Sequence, residues 1–152
     1  MKYSIEFLED IKGEEYNKLV DYAFNQCDKF GLVRRTEIEP TDKCIEFLRN
    51  SQKTLLELKQ LTEWPGTVTF GEKHAVYFYK TTQENRKLLM MNDSIYSWLN
   101  PDFPEDLFFI RRGKTFISST AHEQLGSVIL DNEIELEDFE SKFNFKYKVV
   151  KR

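Results

Sequence analysis

The pair His122-Glu123 is the first place in this chain where residue types suit chemistry. A histidine titrates near neutrality and can act as general acid or base, and a neighbouring carboxylate can orient its ring. With Glu105 as a second orienter and Arg111 or Arg112 holding an anion, these residues make up the enzymatic or ligand-binding reading. Against it, adjacent side chains on an extended strand diverge, so His122 and Glu123 need not share a site. A zinc-protease helix requires His-Glu-x-x-His, whereas this chain continues Gln124-Leu125-Gly126. A surface or capping histidine is the simpler expectation.

Other constellations are incomplete. Cys27, Cys44, His74 and His122 have the atom types of a zinc site, but no Cys-x-x-Cys or His-x-x-x-His spacing brings two of them together, so neither metal nor cofactor is expected. Cys27 lies on an apolar helical stripe, where a thiol acts as a small hydrophobe. Cys44 as a nucleophile paired with His122 rests only on both residues being present. Gly66 to Lys73 has the glycines of a phosphate loop, but Glu72 stands where lysine should follow, His74 replaces the magnesium-binding hydroxyl, and the intervening residues favour a strand. Arg34-Arg35 and Arg111-Arg112 offer forked donors, although on strands only one arginine of each pair reaches a given face. Solvated salt bridges are the expectation for them.

Aromatic residues beside proline-containing turns are candidates for binding protein. Tyr96, Trp98 and Phe103 flank Asn100-Pro101-Asp102-Phe103-Pro104, where rigid rings either anchor an interface or close the core. Trp64 is expected to be buried.

The elements that must position these groups follow from periodicity. Tyr3, Ile5 and Phe7 alternate with polar residues, as in a half-buried strand. From Glu14 onward, Tyr16, Leu19, Val20, Ala23, Phe24, Cys27 and Phe30 recur at helical steps, with Gly31 as the expected stop. Leu32 to Ile38 reads as extended. Thr41 caps a second helical region whose apolar side includes Ile45, Leu48, Leu55 and Leu58, ended by Pro65-Gly66. Thr67–Phe70 and His74–Lys80 read as a hairpin, and Thr81 with Glu84 as a capping box before a short helix. Asp106 to His122 reads as two strands joined by a type II′ turn at Gly113-Lys114, pairing Arg112 with Thr115, Ile110 with Ile117 and Phe108 with Ser119. Gly126–Leu130 supplies a further strand. The acidic stretch from Asp131 to Glu140 reads as a short helix with an exposed face, before a basic strand or frayed end. The expected fold is one α+β domain over residues 1–152, with helices packed on an antiparallel or mixed sheet.

Composition limits the partners. The 152 residues carry 26 acidic and 22 basic side chains, a net charge of −4, which exerts no general pull on nucleic acid or anionic lipid. No run approaches a membrane span, and the N-terminus lacks the apolar segment of a signal peptide, so a cytoplasmic location is expected. There, two cysteines are two thiols and the sequon Asn92-Asp93-Ser94 is coincidental.

At Glu63-Trp64-Pro65-Gly66-Thr67, Tyr96-Ser97-Trp98, Pro104-Glu105-Asp106-Leu107 and His122-Glu123 the chain resembles a family of small, uncharacterised bacterial proteins from Bacillus-like organisms. The resemblance covers most of the length. Some members are automatically labelled stage III sporulation protein AH, which makes a sporulation role a third possibility. The membrane protein properly bearing that name has an N-terminal membrane helix that is missing here, and the resemblance transfers no catalytic residue. The leading expectation is a non-enzymatic protein-interaction module, of immunity or inhibitor type, that binds another protein through an acidic or aromatic surface.

Overall fold

A computed structural model describes all residues from Met1 to Arg152. Four helices lie against an eight-stranded sheet, and a separate two-stranded hairpin covers part of the sheet's other side. The strands are β1 (Tyr3–Phe7), β2 (Lys29–Arg34), β3 (Leu55–Leu61), β4 (Glu63–Trp64), β5 (Thr67–Val68), β6 (His74–Lys80), β7 (Glu105–Arg111), β8 (Lys114–Thr120), β9 (Leu125–Leu130) and β10 (Tyr147–Lys151). The large sheet runs β10-β1-β9-β8-β7-β2-β6-β3, with every ladder antiparallel, so the fold is α+β.

The helices are α1 (Glu14–Gln26), α2 (Asp42–Ser51), α3 (Gln83–Leu89) and α4 (Glu133–Lys142). On α1 the steps from Tyr16 to Leu19, Val20 and Ala23 put the buried side chains on one stripe. Glu14 and Glu15 complement the positive end of its dipole. Phe47 of α2, Leu89 of α3 and Phe139 of α4 join the same core, which is continuous with Ile5, Phe30, Tyr79, Phe109, Ile117 and Val128 of the sheet. A smaller cluster of Val33, Trp64, Val76 and Phe108 lies on the opposite face, beneath the β4–β5 hairpin.

Several expectations shift by a residue or an element. The turn after β7 uses Arg112 and Gly113, both at positive φ (50° and 76°), which is the backbone of type I′; Arg111 therefore pairs with Lys114, and Phe109 with Ile117 across a bulge. Helix α1 ends at Gln26, and Gly31 sits inside β2. A Cβ at Gly31 would come within 2.0 Å of the Phe108 ring, so this glycine is needed for close packing and not as a helix stop. Leu55 and Leu58 belong to the edge strand β3, not to α2. The cap of α3 is Thr82, whose hydroxyl accepts the Asn85 amide at 3.2 Å, while Thr81 donates to the Cys27 carbonyl. The C-terminal segment forms edge strand β10 against β1, so it does not fray.

Candidate functional site

The hairpin turns at Pro65-Gly66, between two strands of only two residues each. So short an element cannot stand alone, and a buried polar clamp holds it to the sheet. The Trp64 indole N–H donates to Asp106 Oδ2 at 3.0 Å, and Asp106 Oδ1 accepts the Ala121 amide at 2.9 Å. Neighbouring Glu105 accepts from Arg35 Nε at 2.9 Å and from the Asn100 side-chain amide at 3.0 Å. The Arg35 guanidinium lies 5.0 Å from the centre of the Trp64 ring. One knot therefore joins β4, β7 and the segments around Arg35, Asn100 and Ala121.

Two consecutive carboxylates would normally point to opposite faces of a strand, yet Glu105 and Asp106 are both buried. Asp106 has φ 59°, a left-handed conformation that aspartate tolerates better than most residues, and this breaks the alternation. Burial pushes the Asp106 carboxyl above its ordinary range and the Glu105 charge adds to the effect; the Ala121 and Trp64 hydrogen bonds act the other way.

Above the clamp lies an open concavity of about 420 Å³, lined by Arg35, Glu37, Phe70, Glu72, His74 and Glu123 among others. The His74 ring packs edge-on against Trp64, and its Nδ1 lies 3.1 Å from both the Thr36 amide and Glu37 Oε2. One nitrogen cannot accept from Thr36 and donate to Glu37 at once. The amide is the fixed donor, so Nδ1 is the acceptor there, and Glu37 is 58% exposed to solvent.

The loop after β5 is locked from beneath. The Thr69 amide donates to the Thr62 carbonyl at 2.9 Å, and the Thr69 hydroxyl lies 2.7 Å from the carbonyls of both Thr62 and Glu72. Over this base Phe70 projects fully into solvent, with Val68 at 74% exposure beside it. Glu72 and Glu123 are also exposed. Sequence reasoning missed Phe70 and Val68 because Thr67–Phe70 read as a partner of His74–Lys80, whereas β5 pairs with β4. The signal was Pro65-Gly66, a tight turn placed two residues after Glu63.

The enzymatic constellation does not assemble. His122 lies exposed on a short 3₁₀ turn, Ala121–Glu123, with Glu123 exposed beside it, while Glu105 is buried and bound by Arg35 and Asn100. Arg111 ends β7 and Arg112 follows it in the turn, about 20 Å of extended chain from Glu105. Arg111 is bound by Gln26, Asp131 and Glu135, and Arg112 projects from the β7–β8 turn.

The three aromatic interface candidates are interior, so of their two readings they take the one that closes the core, and the surface role drops out. Trp98 is 0% exposed, and its buried N–H is satisfied by the Tyr16 hydroxyl at 2.8 Å, which in turn donates to the Leu89 carbonyl. Phe103 packs against Trp98 and Phe47, and Tyr96 is buried as well. Trp64 is buried as expected.

Both thiols are free and buried, and burial pushes Cys27 up to about 12 and Cys44 in the same direction, so neither is a ready nucleophile. The sequon's Asn92 side-chain nitrogen is buried. No group of histidine, cysteine and carboxylate residues is arranged to hold a metal ion, and no helix is long and apolar enough to cross a membrane. The chain matches no protein-family model, and no curated protein or solved structure is significantly similar to it.

Proposed function

We propose that this protein is a non-enzymatic interaction module, of immunity or inhibitor type, that docks another protein through Val68 at the end of β5 and Phe70 in the loop after it. The observation that carries the reading is a fully exposed phenylalanine on a backbone locked by Thr69 and anchored through Trp64. An aromatic ring carried in water on a fixed backbone gains the full transfer energy on docking, and the loop itself needs little reordering to do so. Glu37, Glu72 and Glu123 around the concavity give it an acidic rim, suited to a partner with a basic surface surrounding an apolar recess.

The test is the affinity of the isolated partner for wild-type protein and for the double variant Val68→Ser/Phe70→Ser. The expected result is a loss of at least tenfold with unchanged thermal stability, since both side chains lie outside the core. Equal affinity of the double variant would overturn the reading.

A further inference from the structure

The end of the sheet opposite the Phe70 loop holds a second concavity, of about 300 Å³, lined by Lys2, Arg111, Arg112, Lys114, Thr115, Ile129 and Asp131. Adjacent strands bring these residues together: β7 and β8 contribute the arginines and Lys114 around their turn, β9 ends in Leu130 before Asp131, and Lys2 precedes β1, whose Tyr3 pairs with Leu130. The backbone of Arg152 donates to the Lys2 carbonyl at 2.8 Å, fixing the chain there.

The charges at this end are unevenly matched. Arg111 is already committed: its guanidinium stacks 4.3 Å from the Phe116 ring centre, and its two terminal nitrogens donate to Gln26, Asp131 and Glu135 at 2.7–3.2 Å. Asp131 is thereby turned toward Arg111, and Arg112 reaches it only at 3.6 Å with a side chain 76% exposed. Lys2 and Lys114 make no ion pair. Four cations against the carboxylates of Asp131 and Glu135 leave two positive charges in excess. In a protein of net charge −4, this excess is local.

We propose that this concavity binds a phosphomonoester dianion, held by the side chains of Lys2, Arg112 and Lys114. A phosphate monoester carries about −1.5 to −2 charges at neutral pH, which matches the excess. Its three terminal oxygens accept from a guanidinium fork and from ammonium groups. The volume leaves room for the group that carries the phosphate. The site is remote from the Phe70 loop and does not depend on the docking proposal.

The test is a titration of the whole chain followed by amide NMR, at constant ionic strength, with inorganic phosphate, glycerol phosphate and a phosphoserine peptide, and with chloride as control. The expected result is saturable shifts confined to Lys2, the Arg112–Thr115 turn and Asp131, weakened at least tenfold in Lys114→Gln, retained in Lys114→Arg and unaffected by Phe70→Ser. Tighter binding of the peptide than of glycerol phosphate assigns the phosphate to a modified protein; equal or weaker binding assigns it to a small metabolite. Non-saturating shifts spread over surface lysines such as Lys12 and Lys87, or an equal response to chloride, would overturn the site. So would undiminished binding by both Lys114→Gln and Lys2→Gln.

Discussion

The two ends of the sheet handle charge in opposite ways. At the Glu105 end the carboxylates are buried, each oxygen has a donor, and the result is a clamp that holds a short hairpin. At the Arg112 end one arginine is tied down while its cationic neighbours stay in solvent. Charge that is fully satisfied inside the protein positions other residues, and charge left exposed is available to a ligand. The same contrast holds within the hairpin, where Trp64 faces in and is bonded while Phe70 faces out with nothing on it.

The largest expected effect breaks the clamp. Trp64→Ala removes the indole from the smaller core and strips Asp106 of a donor; chemical denaturation should show a loss of about 3–5 kcal/mol. A loss below about 1 kcal/mol would mean that the hairpin is not held through this residue.

Gly31→Ala is expected to cost about 1–3 kcal/mol, because the new methyl group meets the Phe108 ring and both strands must part. An unchanged denaturation midpoint would contradict that packing.

The two ends should also differ in the sign of their pH dependence. Asp106 is raised above its ordinary 3.8 when folded, so the native state takes up its proton first and this group adds stability as pH falls. The stability of wild type relative to Asp106→Asn should therefore rise on acidification from neutrality toward pH 4. Glu135 is lowered from its ordinary 4.5, chiefly by the hydrogen bond from Arg111, so its contribution is present above 4.5 and lost as pH falls through the folded value. At neutral pH, Glu135→Gln should cost about 1 kcal/mol, discounted for its partial exposure, and the difference from wild type should shrink in acid. Paired urea titrations at several pH values check both directions.

The smallest effect on stability is expected from Phe70→Ser, within about 0.5 kcal/mol, because the ring touches no core.

Much of the fold was legible from the residues: β1, β9, the stripe of α1 and the start of α2 after Thr41 all follow, although the Thr41 hydroxyl donates to the Pro101 carbonyl and does not cap the helix. Local signals failed where distant partners decide. Gly31 has the look of a helix stop until Phe108 is placed across it. Leu55 and Leu58 continue a helical spacing, but pairing with β6 draws them into a strand. Trp98 is fixed in the core by Tyr16, 82 positions away, a separation no local window spans. The clamp was hidden for the same reason, since Trp64, Arg35 and Asp106 meet only in the folded chain. The segments Glu63–Thr67 and Pro104–Leu107 supply this clamp and the hairpin turn it holds.

The docking claim is tested most directly by placing a photo-crosslinking phenylalanine analogue at position 70, and in parallel at exposed Leu56 and Ile134, in the cell that makes the protein. The account predicts one discrete crosslinked protein from position 70, abolished by excess unlabelled wild type and absent from the other two positions. Crosslinking from position 56 or 134 but not 70, or none from position 70 at all, would contradict it.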